Sequence, residues 1–148
     1  RPTYNWNVSK NGGEKILIAC PEYRIDFDKV FEINPGDKFT AETVMEIPET
    51  RFLRYMVHTA HCNIGMFIDG EKIIDIERGD PYLPAYHRVC PDAKVTTEAG
   101  KHNIKIEVTA ANTETPFDVA FQAVDHSCVF DKKRGLLQDD ILTSFDAK

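Results

Sequence analysis

Apolar residues recur at every second position along most of this chain. That spacing turns one face of an extended strand into a core and the other toward water. Phe39, Ala41, Thr43, Met45 and Ile47 share one face, while Thr40, Glu42 and Glu46 point to the other. Leu53, Tyr55 and Val57 alternate with Arg54, Met56 and His58, and Ile64, Met66 and Ile68 continue the pattern. Ile104, Ile106 and Val108 alternate with Lys105 and Glu107, then Phe117, Val119, Phe121 and Ala123 with Asp118 and Gln122. Two earlier segments, 15–19 and 24–33, also read as strands. In the second, Ile25, Phe27, Phe31 and Ile33 keep parity across Asp28-Lys29. Turn chemistry separates the runs: Asn11-Gly12-Gly13, Asn34-Pro35-Gly36-Asp37, Asp80-Pro81 and Ala99-Gly100. Asp69-Gly70 lies between two apolar runs and predicts a type I′ hairpin.

Many short strands with regular turns predict an all-β fold, an antiparallel sandwich or barrel. No helical stripe interrupts the pattern before residue 130. Beyond it, Leu137, Ile141 and Phe145 are spaced by four, which predicts a short amphipathic helix over 136–145. The break at Asp131 to Gly135 divides a sandwich domain, 1–130, from a C-terminal tail, 131–148. The tail would pack on the sandwich or dock on a protein partner.

A length of 148 residues suits this single domain. The net charge of −6 works against nucleic acid as a partner, because such binders need a basic field. The run Lys132-Lys133-Arg134 is too short to supply one. No apolar run approaches the ~20 residues of a membrane-spanning helix, so membrane insertion is not expected. The sequence starts at Arg1 without a leader, which leaves targeting open. The cysteines, Cys20, Cys62, Cys90 and Cys128, are even in number and none lies in a CxxC pair. Asn7-Val8-Ser9 is a glycosylation sequon with Asn7 as acceptor. Together they point to a secreted or extracellular-surface glycoprotein with disulfides. The other reading is four buried thiols in a cytosolic protein.

One stretch carries a resemblance. Tyr55-Met56-Val57-His58 is followed by Gly65-Met66-Phe67-Ile68-Asp69-Gly70, then by a long loop. Next come Glu98-Ala99-Gly100-Lys101-His102-Asn103-Ile104-Lys105-Ile106 and a last strand, Phe117 to Val124. Over about residues 54–124 this resembles the PA14 and carbohydrate-binding-module type of jelly-roll domain, a galactose-binding-like β-sandwich. The resemblance implies an antiparallel jelly-roll that binds carbohydrate. It also implies that the first and last strands lie close, which would pair Cys20 with Cys128 and leave Cys62 for Cys90. Sequence alone allows three pairings. Calcium-binding members of that family hold the ion with adjacent loop acids. The one Asp-Asp pair here, Asp139-Asp140, lies in the tail, and no calcium loop motif is present, so no cofactor is expected.

The loop from Glu77 to Arg88 is the candidate binding site. Sugars are recognised by aromatic faces against C–H surfaces and by polar groups on hydroxyls. Tyr82 and Tyr86 supply the first, Asp80 and Arg88 the second. The alternative is that Tyr82 and Leu83 plug one end of the sandwich. Trp6, the single tryptophan, would stack on a sugar or anchor the first strand. His58-Thr59-Ala60-His61-Cys62 groups three metal-ligand types, but 61 is out of phase with 58 and 62 on a strand. No Gly-x-Ser-x-Gly elbow or His-Glu-x-x-His pair occurs, and the three serines, Ser9, Ser127 and Ser144, have no nucleophile setting. The expectation is therefore a non-catalytic module binding carbohydrate or glycoprotein. A structural, protein-interaction subunit is the alternative, and a small hydrolase ranks behind both.

Thermal melting and ligand titration of Tyr82→Ala separate the two readings of the loop. A binding platform predicts weaker binding by about 1–2 kcal/mol with little change in stability. A core plug predicts ~3 kcal/mol or more of lost stability.

Overall fold

The computed structural model describes residues 4–20, 24–58, 62–76, 92–110, 117–125 and 146–147. In chain order the strands are β1 (Tyr4–Lys10), β2 (Ile16–Cys20), β3 (Arg24–Asp26), β4 (Lys38–Ile47) and β5 (Arg51–His58). They continue as β6 (Cys62–Ile68), β7 (Glu71–Ile76), β8 (Asp92–Thr97), β9 (Gly100–Ala110) and β10 (Asp118–Asp125). Two antiparallel sheets form, a six-stranded one in the order β2-β1-β4-β9-β6-β7 and a four-stranded one in the order β3-β10-β5-β8. The fold is all-β and sandwich-like.

The alternation explains the packing. Phe39, Ala41, Met45 and Ile47 of β4, and Ile104, Ile106 and Val108 of β9, are buried from one sheet. Leu53, Tyr55 and Val57 of β5, and Val119, Phe121 and Ala123 of β10, are buried from the other. Trp6 of β1 meets Phe121 edge-on across the two sheets, with ring centroids 5.7 Å apart. Phe27, Phe39 and Phe117 form a second aromatic cluster, with centroids 5.1 to 5.9 Å apart. Such contacts add to the area buried by large rings. Two polar groups enter this interior with partners: the Tyr55 hydroxyl lies 2.6 Å from Thr97 Oγ1, and Thr43 Oγ1 donates to the Asn5 carbonyl at 2.7 Å. Burial pushes the Tyr55 phenol up to about 12, so it stays protonated.

Hairpin chemistry holds as well. Asp69 and Gly70 both have positive φ, 49° and 86°, as a type I′ turn requires. Asn11 and Gly12 repeat the pattern, at 51° and 72°.

Several expectations are corrected. The run 24–33 is not one strand. β3 ends at Asp26, and Phe27–Lys29 forms a single 3₁₀ turn closed by Val30 and Phe31 N–H groups donating to the Phe27 carbonyl. This turn lets Ile33 re-enter the core without a continuous strand. Cys20 is a free thiol, so no Cys20–Cys128 bridge is present. Its strand is at an edge of the six-stranded sheet, whereas β10 runs inside the four-stranded sheet, so first and last strands are not side by side. Burial, then the Asp26 carboxylate, push the Cys20 thiol up to about 11. Cys90 and Cys128 lie outside the described residues, as does the segment 136–145 assigned above to an amphipathic helix. No α-helix occurs among the described residues.

Phe39→Ala removes a fully buried ring shared by three aromatic contacts. It should cost about 3–5 kcal/mol, read by urea unfolding with Trp6 fluorescence as the reporter.

Candidate functional site

Residues that alternate away from the core share the outer face of the six-stranded sheet. The strand registers align five of them in one row across the strands: Lys72 on β7, Phe67 on β6, Lys105 on β9, Glu42 on β4 and Asn7 on β1. The row lies beside an irregularity. Ile64 pairs with Ile76 and Met66 with Ile74, but Phe67 then pairs with Lys72, so Ile73 is an extra residue on β7. The two-residue Asp69-Gly70 turn sets Lys72 opposite Phe67, and the β-bulge beyond it brings Ile74 and Ile76 opposite the core residues Met66 and Ile64. Bulges re-aim side chains in this way, often near functional sites.

A groove of about 450 Å³ lies on this face, lined by Asn7, Glu42, Val44, Phe67, Asn103 and Lys105 among others. At one rim the pairing of β1 with β4 stops at Asn7 opposite Glu42. Asp146 and Ala147 sit there. The Asp146 N–H donates to the Val44 carbonyl at 3.0 Å, and Asn7 Nδ2 donates to the Ala147 carbonyl at 3.2 Å. Asn5 Nδ2 also reaches Asp146 Oδ1, at 3.4 Å. Glu42 is paired with Lys15 at 3.2 Å. The groove therefore presents one aromatic ring, amide and carboxylate groups and ammonium groups on a rigid sheet.

The opposite end is held by a charged latch. Asp69 Oδ1 accepts from the Asn103 N–H at 2.8 Å, and Asp69 Oδ2 lies 2.7 Å from His102 Nδ1. His102 Nε2 lies 2.6 Å from the Glu98 carbonyl. Both partners of the ring are acceptors, so both nitrogens must carry protons to satisfy them, which selects the imidazolium. Burial opposes that charge, but the bonds to Asp69 and Glu98 outweigh it and raise His102 above its ordinary 6.5. Burial likewise opposes the Asp69 carboxylate, yet the bonds from His102 and Asn103 hold it below its ordinary 3.8. The latch ties the β6–β7 turn to the start of β9, next to groove residues Gly70 and Asn103.

Of the residues singled out in the sequence, Tyr82, Tyr86, Asp80 and Arg88 lie outside the described residues. Trp6 is corrected: at 1% exposure it has no face for a sugar and serves as the anchor of β1. Asn7 of the sequon is half-buried in β1, and its amide nitrogen is engaged with Ala147. His61 lies outside the described residues. Among the described residues no group of three or more His, Cys, Asp or Glu side chains is placed to hold a metal. Phe67, Asn103 and Lys105 were not picked out as site residues. Their only sequence signal is an outward position in an alternating strand.

No protein-family model matches the sequence, and no curated protein matches it. Solved structures do match at the level of fold. A β-glucosidase from Kluyveromyces marxianus, in complex with glucose, superposes with a TM-score of 0.60 and 10% identity over 87% of this chain and 17% of that one. A GH31 α-xylosidase from Xanthomonas citri gives 0.53 and 15% over 82% of this chain and 13% of that one. An anti-sigma factor domain-containing protein from Clostridium clariflavum gives 0.56 and 14% over 86% of this chain and 43% of that one. The chain therefore spans less than half of each. These likenesses establish a shared all-β fold.

The latch sets a pH dependence. The raised His102 contributes stability that is fully present below 6.5 and is lost as pH rises through its folded value. The depressed Asp69 contributes stability that is present above 3.8 and is lost as pH falls through its folded value. Melting midpoints of the wild type and His102→Gln should differ most between pH 3.8 and 6.5 and converge as pH rises through the raised folded value of His102. A constant difference across that range would count against the latch.

Proposed function

We propose that this chain is a non-catalytic carbohydrate-binding module of the PA14-like, jelly-roll type, displayed in a secreted or cell-surface setting. The observation that carries the reading is the groove on the outer sheet face, where Phe67 is flanked in register by polar and charged side chains. A pyranose offers a C–H face to such a ring and hydroxyls to groups such as Asn103, Glu42 and Lys105. The site sits on strands rather than on a loop, so its geometry is preformed and little ordering entropy is lost on binding. Support also comes from the fold shared with parts of a β-glucosidase and an α-xylosidase. In this reading Tyr82, Tyr86, Asp80 and Arg88 are further candidates for contact with the sugar.

A second reading, a protein-interaction subunit, is favoured by one observation. Leu17, on edge strand β2, is 47% exposed, and an edge strand can pair with a further strand. There the partner would add a strand to the edge, or contact the C-terminal tail.

Glycan-array screening of the wild type and Phe67→Ala distinguishes the two. The carbohydrate reading expects binding that weakens by about 1–2 kcal/mol in the variant, with an unchanged melting midpoint. Absence of glycan binding, with partner capture lost in Leu17→Lys, would favour the interaction reading.

A further inference from the structure

We propose that the Phe67 end of the groove recognises an anionic sugar residue, its ring against Phe67 and its acid group bridged by Lys72 and Lys105. This rests on the carbohydrate reading and names the ligand class. The Lys105 ammonium lies 4.4 Å from the Phe67 ring centroid and the Lys72 ammonium 5.5 Å from it. Two cations thus converge on one ring from its two neighbouring strands, β9 and β7.

Three features make this a built arrangement. The two-residue Asp69-Gly70 turn sets Lys72 opposite the ring, and the β7 bulge beyond it keeps the core pairs in phase. Gly65, two residues before Phe67 on the same face, leaves the space through which the Lys72 chain runs. A Cβ at Gly65 would lie 3.0 Å from Lys72 Cε and 3.4 Å from Phe67 Cε1. Finally, both ammonium groups are under-used. Lys72 has Asp75 at 3.4 Å and Lys105 has Glu107 at 3.9 Å, while the side chains are 43% and 39% exposed. An ammonium has three donors, so each can take a further acceptor. The third nearby acid, Glu42, is held by Lys15. Exposed cation–π contacts are weak, so both groups can leave the ring for a carboxylate or sulfate. A sugar acid presents both needed features, an apolar ring face and an anion at its edge.

The test is calorimetric titration with a uronic-acid trisaccharide, a sulfated trisaccharide and a neutral trisaccharide of matched ring stereochemistry. The wild type should bind at least one acidic probe about tenfold more tightly than the neutral one. That preference should shrink as salt rises from low to physiological levels. Lys72→Gln should remove most of the preference while leaving neutral binding intact, and Lys105→Gln should weaken acidic binding more than neutral binding. Gly65→Ala, which displaces Lys72 without removing its charge, should weaken acidic binding as well. The uronic and sulfated arms show which acid group the lysines accept. Equal binding of acidic and neutral probes, lost in Phe67→Ala, would overturn this inference and leave the carbohydrate reading standing. Acidic binding that is indifferent to both lysines would also overturn it. Failure to bind any of the three probes would overturn it, and a blank glycan array beside that failure would remove the carbohydrate reading too.

Discussion

Face-to-face packing of two apolar sheet surfaces is the constraint on which everything else here depends. Trp6 against Phe121, and Phe39 against Phe27 and Phe117, lie between elements far apart in sequence. Burying such rings is among the largest favourable contributions a side chain makes. It fixes the register of each strand, because a slip by one residue would turn the whole apolar set outward. Once β4, β6 and β9 are locked with their inner residues buried, their outer residues have no choice of direction. The row through Phe67, Lys105 and Glu42 is the other side of the same packing.

That coupling gives the groove its rigidity. Its floor is hydrogen-bonded sheet, one end is tied by Asp69, His102 and the Glu98 carbonyl, and the other is lined by Ala147. Of the charged groups on this face, Glu42 is held by Lys15, whereas Lys72 and Lys105 meet Asp75 and Glu107 only at 3.4 and 3.9 Å. A chain with a net charge of −6 can therefore carry a locally cationic spot around one ring without a basic surface overall.

Much of the architecture was legible in the sequence because a single physical signal, alternation, decides burial. The inward sets of β4, β5, β6, β9 and β10 are those that the period of two picks out. Asp69-Gly70 was legible because few residue pairs tolerate two positive φ values in succession. The interruption after Asp26 was not, since parity is kept on both sides of it. The strand ends at the 3₁₀ turn, where the Val30 and Phe31 N–H groups fold back onto the Phe27 carbonyl, while the Phe27 N–H makes the last β3–β10 bond, to the Phe117 carbonyl. Trp6 was ambiguous because a tryptophan has the same local pattern whether its neighbour is a sugar or Phe121. The groove was hidden for a different reason. Its strand residues come from β1, β4, β6 and β9, and only the registers bring Asn7, Glu42, Lys105 and Phe67 into line.

The extra residue at Ile73 separates two things that usually change together. Ile64, Met66, Ile74 and Ile76 meet their core partners on one side of the irregularity, and the turn at Asp69-Gly70 closes on the other. Loss of Lys72 would leave these pairs in place, absorb the extra residue and set Ile73 opposite the Phe67 ring. Two chains can then share this interior closely and differ in what lies beside that ring, because the phase of one hairpin sets it. Specificity on such a scaffold can drift through insertions and deletions that core composition never records.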